Sequence, residues 1–420
     1  MGEFMKIVSK KKIGIFLVLI GFVIFGFFFW QKITKPDLKN ANLSAQQIPK
    51  WTASTQALVS KNAFKKALSP YFPAVKTMQI TDENSPIVPG LLGTWSIDPK
   101  TGKAAYATKW TPQGITAISN QYILVTAYDG NHHLDSLVYV IDFKTGKYLK
   151  TVILPNQAHV GGITYDEKRQ NIWISTDEKK AAELTVLKLS TLKAYDAKKS
   201  KKAIRVDETF KLPWLKATST IAYSELDNAI IVPYFSTETS SLYGLPLNDQ
   251  GMIDDQTILS TGQKNKLSDL DLQNLLKHVY CAEIPAKVQG FASLGNGYVG
   301  TFNASYGNVS SSVRFTAWYL DDQSNTSLKE FKFKNISVST SKKNQIIKMP
   351  PYLEQVAAHD DTSLYYLFES GATKYRLKTP EVIDRIVSVS YDDKGVYEQA
   401  KSALKPEKIS LPSYDEFHSK

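Results

Sequence analysis

Short apolar runs alternate with tight polar turns over most of the chain, which is a strand pattern rather than a helical one. Five groups repeat one order. A short apolar segment comes first, at Gln113–Ile118, Gly161–Tyr165, Ser219–Tyr223, Gln289–Leu294 and Glu354–His359. A turn and a stronger strand follow (YILVTAY, NIWIST, AIIVPYF, YVGTF, LYYLF), and after a variable loop a third strand (SLVYVID, LTVLKL, SLYGLPL, VRFTAWYL, RIVSVSY). Copies spaced by about 48 to 70 residues predict the blades of an all-β propeller, five or six in number. A β-sandwich is the competing architecture. Blades packed face to face bury both sides of each strand, which accounts for the near-continuous apolar runs. Ring closure is expected from N- and C-terminal strands sharing a blade.

Three helices are predicted outside this pattern. Ser54–Leu68 carries Leu58, Ala63, Phe64 and Ala67 on one face, with Ser54 as N-cap. Ser268–Tyr280 (SDLDLQNLLKHVY) reads as a helical insertion with Ser268 capping, directly before Cys281, which is expected to be buried and inert. Lys394–Lys405 forms a third, with Asp393 before it as N-cap.

Ile13–Trp30 (IGIFLVLIGFVIFGFFFW) is an uncharged run of 18 residues, long enough to span a bilayer. Lysines precede it and Trp30 closes it at the interface. A cleaved signal peptide would need a small-x-small site just after the run, but FFFW continues as QKITKP. The expected organisation is a cytoplasmic tail (1–12), a signal anchor (13–30), a stalk (31–81), the propeller (82–392) and a C-terminal tail (393–420). The bulk of the chain is then extracytoplasmic. Met1–Phe4 (MGEF), native or a vector scar, takes no part in the fold argument.

One cysteine excludes an internal disulfide framework and any multi-cysteine zinc site. The net charge of +11 favours anionic surroundings. No nucleic-acid-binding pattern accompanies it, so nucleic acid is not an expected partner. An extracytoplasmic chain with one Cys and many Lys fits the surface of a Gram-positive bacterium.

Trp95–Thr108 and Tyr139–Val152 share the core I-D-x-K-T-G-K, a strand, a glycine turn and a strand. Val138–Val152 (VYVIDFKTGKYLKTV) resembles the repeat of YVTN-type bacterial propeller families. The resemblance implies a propeller and no particular activity.

In such a fold the inner strands line a central channel, and the segments leading into them open on one face together with the loops between second and third strands. Counting back two and four residues from Ile115, Ile163, Ile221, Phe291 and Val356 places Gln113, His159, Lys287, Gln289, Tyr352 and Glu354 in two rings able to hydrogen-bond a polar ligand. The alternative is that they only satisfy backbone and water in a polar channel. The loop Tyr128–Asp135 adds Asp129, His132, His133 and Asp135, metal ligands by type but in no specific motif. Trp110, Tyr306 and Tyr352 are candidates for stacking on sugars. No Walker loop, dinucleotide fingerprint or G-x-S-x-G is present.

Two functions follow as expectations. The first is a membrane-anchored binding or scaffolding module at the cell envelope, with an anionic wall polymer, a glycan or an envelope protein as partner. The second is a propeller enzyme, a metal-assisted hydrolase or lactonase with a divalent metal, working from His159, Glu354 and the His132/His133 loop.

Overall fold

The computed structural model describes residues 36–404 except 178–181, 213, 216, 219, 239, 254–278, 295–298, 322–328, 337–345, 361–362 and 392, and gives the backbone alone for 320–321, 329–336 and 393. The apolar run Ile13–Trp30, the tail from 405 and all but the end of the insertion expected at 268–280 lie outside the described residues. Among the described residues no helix is long and apolar enough to cross a membrane.

A hairpin of β1 (Thr94–Asp98) and β2 (Lys103–Ala107) precedes the ring. Blade 1 is β3 (Trp110–Ile118), β4 (Tyr122–Asp129), β5 (Leu137–Asp142) and β6 (Tyr148–Ile153). Blade 2 is β7 (Ile163–Asp166), β8 (Asn171–Ser175), β9 (Ala182–Lys188) and β10 (Glu208–Leu212). Blade 3 is β11 (Ala222–Ser224), β12 (Ala229–Pro233), β13 (Ser240–Pro246) and β14 (Tyr280–Ile284). Blade 4 is β15 (Val288–Leu294), β16 (Val299–Tyr306), β17 (Val309–Asp321) and β18 (Lys329–Ile336), with β19 (Ile346–Met349) also paired to β17. Blade 5 is β20 (Leu353–Ala358), β21 (Ser363–Phe368) and β22 (Val387–Ser390). Each blade is an antiparallel meander, and a short parallel pairing of β14 with β18 joins blades 3 and 4. The inner strands β3, β7, β11, β15 and β20 neighbour one another in turn, and β20 returns to β3, so the ring closes at five blades.

The repeated Gly before the first core residue of an inner strand has a packing cause. A Cβ on Gly162 would stand 2.4 Å from Ile221 N, and one on Gly290 2.8 Å from Val356 N, so the next inner strand occupies the space a side chain would need. Closure differs from expectation. Hairpin β1–β2 stays a separate sheet, and the backbone of the N-terminal region pairs with the segment leading into β22 at Pro86–Val88, through Val88 N to Asp384 O (3.0 Å) and Ile386 N to Pro86 O (2.9 Å).

The expected stalk is corrected over its described part. Leu58, Phe64, Leu68, Val75 and Ile80 are buried in one core with Tyr366, Phe368, Val382 and Ile383 of blade 5. Its scattered apolar residues follow no strand alternation, which hid their common face. Helix α1 is shorter than expected, Lys61–Leu68, because Ser60 is its N-cap and accepts from Ala63 N at 3.1 Å. Ser54 is buried upstream, where its Oγ accepts from Leu92 N at 3.1 Å. Two short helices, α2 (Leu189–Ala194) and α3 (Ala197–Ser200), fill the connection from β9 to β10. Helix α4 (Asp393–Leu404) is no free tail: Val396, Ala400 and Leu404 are buried with Val313, Phe315 and Ala317 of β17. Cys281 lies half-buried within β14.

Candidate functional site at the channel mouth

The channel has two mouths, separated by Gln355. Its fully buried side chain bonds the backbone of Ile115, Ile163 and Ile221, which spans the inner ring. One mouth, where the inner strands end, holds a cavity of about 390 Å³ lined by all five blades, with Glu167, His359 and Asp360 among its few ionisable groups. The chemistry gathers at the other mouth, where the chain enters the inner strands and the loops after β4 and β21 project.

Bulges shape that second mouth. The register shifts between Pro112 and Ile115 in β3, between Val288 and Gly290 in β15, and between Leu353 and Val356 in β20. Lys287 and Tyr352, just before two of these bulges, have φ of 60° and 63°. A bulge breaks the two-residue alternation, so the expected rings are only partly realised.

Gln113, His159, Tyr352 and Glu354 do come together, around a carboxyl that the sequence did not single out. Glu369 follows β21, and its backbone N donates to Tyr352 O at 2.9 Å. Gln113 Nε2 donates to Glu369 Oε2 at 3.3 Å and to Pro112 O at 2.9 Å. Glu354 and Glu369 are both buried. Burial and then Glu369's charge hold the Glu354 carboxyl well above the usual range, against the pull of Lys374. Glu369 is pushed up to about 7 by burial, offset by Lys374 and by hydrogen bonds from Gln113 and Tyr375. Gln113 Oε1 and Glu354 Oε2 are buried oxygens with no hydrogen-bond partner.

Aromatic rings wall the carboxyl pair. Tyr352 and Tyr375 lie 4.8 Å apart, and Tyr128 stacks on His132 at 5.0 Å and meets the His159 ring, tilted, at 4.4 Å. The Tyr128 hydroxyl is pushed up to about 12 by burial and by Glu369. His159 is open to solvent at the rim yet enclosed by protein, and this enclosure, with His132 and Lys374 beside it, lowers its pKa to about 4. It is therefore neutral at physiological pH. Lys374 Nζ sits 4.9 Å over the Tyr375 ring, at the rim. The loop carrying Lys374 and Tyr375 is pinned by Arg376, whose Nη2 donates to Leu91 O at 2.8 Å.

Other expected residues lie elsewhere. Lys287 turns over the Tyr306 ring at 5.3 Å, and Gln289 is half-buried in the bulge of β15. The expected metal set Asp129, His132, His133 and Asp135 does not converge, and among the described residues no group of three or more His, Cys, Asp or Glu is placed to hold a metal ion. Asp129 instead closes its own loop, accepting from Asn131 N at 3.2 Å and His133 N at 3.1 Å. His132 and His133 are exposed. Asp135 faces hairpin β1–β2, where its backbone N donates to Ile97 O at 2.9 Å. Trp110 is core, its Nε1 donating to Ala107 O at 3.0 Å.

No family model and no curated protein matches the chain. Among solved structures it is similar to a protein from Lactobacillus plantarum (15% identity, 65% of this chain, 70% of that one, TM-score 0.31). Others are a functionally unknown protein from Desulfotomaculum acetoxidans (13%, 66% and 69%, TM-score 0.33) and Kuenenia stuttgartiensis hydrazine synthase (11%, 67% and 87%, TM-score 0.32).

Proposed function

We propose that the protein is an envelope binding module, held at the membrane by Ile13–Trp30, whose propeller takes a hydroxyl-rich glycan at the Glu354–Glu369 mouth. One observation carries the reading: unpartnered, buried acceptor oxygens of Gln113 and Glu354 sit beside Glu369 among the rings of Tyr128, Tyr352 and Tyr375. Sugar hydroxyls donate to such oxygens, and the apolar faces of a sugar ring pack on aromatic rings. The acidic floor disfavours an anionic polymer at this position, so the glycan is preferred among the expected partners.

Titration of the full chain with soluble cell-wall glycan fragments tests this. Saturable binding that Tyr375→Ala and Tyr352→Ala each weaken at least tenfold is expected. Binding that both variants leave intact would move the ligand elsewhere.

A hydrolase acting on the same ligand is the second reading, favoured by the carboxyl pair, since two acids at one place are what glycosidic cleavage uses. Product formation from the bound fragments, abolished by Glu369→Gln, would select it over simple binding.

A further inference from the structure

We infer that the floor of this mouth binds a calcium ion through Glu354, Glu369 and Gln113. The inference rests on the reading of the mouth as the ligand site and names what completes it. It differs from the metal set expected on the Asp129–Asp135 loop, whose members the fold separates.

The first ground is the orientation of Gln113. Its amide nitrogen faces Glu369 Oε2 at 3.3 Å, and the reverse orientation would set two oxygens against each other. Its Oε1 must then face away from that bond, and it is fully buried with no donor to meet it. Glu354 Oε2 is unpartnered in the same way, on a side chain 3% exposed. Buried polar atoms are nearly always satisfied, so two orphaned acceptors on residues that both neighbour Glu369 call for a missing partner.

The second ground is charge. Both carboxyls are buried, and the positive group acting on both is Lys374, which is exposed at the rim and engaged with the Tyr375 ring. A water would satisfy the orphan oxygens but would leave the carboxyls to relieve their burial by holding protons. A divalent cation satisfies both needs, and it removes the burial penalty that raises both carboxyls in its absence.

The third ground is ligand type. Carboxylate and amide oxygens alone, with no thiolate, suit a hard cation that accepts six to eight oxygens (roughly the calcium range) in flexible geometry. The three side chains come from β3, β20 and the loop after β21, so the ring itself sets their spacing.

The test uses the full chain, stripped with EDTA and titrated calorimetrically with CaCl2 alone, then with MgCl2 alone. One calcium per chain is expected, with a melting temperature raised by several degrees. Glu354→Gln and Glu369→Gln should each weaken calcium binding at least tenfold, and Gln113→Ala severalfold. Both Gln variants replace a buried carboxyl by an amide of the same shape that cannot ionise, so they should melt no lower than the calcium-free parent, which guards against mere unfolding. Asp135→Asn should leave calcium binding unchanged. Absence of calcium heat, or binding untouched by Glu354→Gln, overturns the inference. Glycan titration with and without EDTA separates the two readings. Calcium binding without glycan binding keeps the cation site and ends the glycan reading. Glycan binding indifferent to EDTA, with no calcium heat, does the reverse.

Discussion

The side-chain amide of Gln355 meets both backbone groups of Ile163: Oε1 accepts from Ile163 N at 3.3 Å, and Nε2 donates to Ile163 O at 3.1 Å. The same oxygen accepts from Ile115 N at 2.9 Å, and the same nitrogen donates to Ile221 O at 3.2 Å. One residue of blade 5 thus ties the inner strands of blades 1 and 2 to the chain entering blade 3. Gln355 stands where β3, the chain just before β7, and β15 carry Gly114, Gly162 and Gly290, and its oxygen fills space beside Gly114.

Replacing this amide by a side chain of similar size leaves buried backbone groups without partners. Gln355→Leu is therefore expected to destabilise the propeller by about 2–5 kcal/mol. Denaturant unfolding of parent and variant measures it. A loss below about 0.5 kcal/mol, the scatter of neutral surface changes, would mean that the amide does not hold the ring.

Glycines of this chain should divide into two classes. At Gly162 a Cβ would meet Ile221 N at 2.4 Å, and backbone cannot move aside as a side-chain end can. Gly162→Ala should cost about 3 kcal/mol or more by forcing two blades apart. Gly102 sits in the β1–β2 turn at φ 66° with nothing within 4 Å, so Gly102→Ala meets only backbone strain, about 1 kcal/mol. Thermal melts of the two variants should differ by several degrees, and equal melts would remove the close-approach account of the repeat.

The blades were legible because each copy keeps its strand, turn and strand in one order, and each expected inner segment overlaps an inner strand. Gln113, His159, Tyr352 and Glu354 were legible as mouth residues by counting back from the core. Glu369 was not, because it follows a second strand, and the loop after β21 (ESGATKYRL) shows nothing in sequence that the comparable loops lack. The position of Glu369 after LYYLF, matching Tyr128 at the end of β4, was the signal available. Gln355 was missed because strict alternation points it away from the ring, and the bulge between Leu353 and Val356 overrides that alternation. The packing of residues 38–81 depends on long-range partners such as Asp384, which no local pattern announces.

That docking suggests a discrete failure. Asp384 Oδ2 accepts from Leu58 N at 2.6 Å and Val59 N at 2.8 Å, and its other oxygen contacts Arg385 Nη1. Asp384→Ala would orphan two buried amides and leave Arg385 beside them without its acid. A loss of about 2–4 kcal/mol is expected, concentrated in the N-terminal segment. Limited proteolysis should then cut between residues 38 and 60 well before the blades. Cleavage kinetics matching the parent would show that this anchor is dispensable.

Asp135 offers a pH test with a definite sign. Burial, reinforced by Asp98, pushes its carboxyl up from 3.8 to about 7, and one of its oxygens is buried without a partner. A raised folded-state pKa means that the folded protein holds the protonated form better than the unfolded chain does. The favourable contribution is complete below about pH 4 and is lost as pH rises through about 7. Asp135→Asn keeps the shape and cannot ionise, so it escapes that loss. The variant should match the parent near pH 4 and exceed it at pH 8 by about 1–4 kcal/mol, the upper figure being three pKa units fully expressed. Unfolding curves of both proteins at pH 4, 6 and 8 decide it. Parallel pH profiles would show that water reaches Asp135 and that its burial carries no penalty, whereas a gap opening between pH 4 and 7 would locate a stability reserve at the contact of hairpin β1–β2 with blade 1.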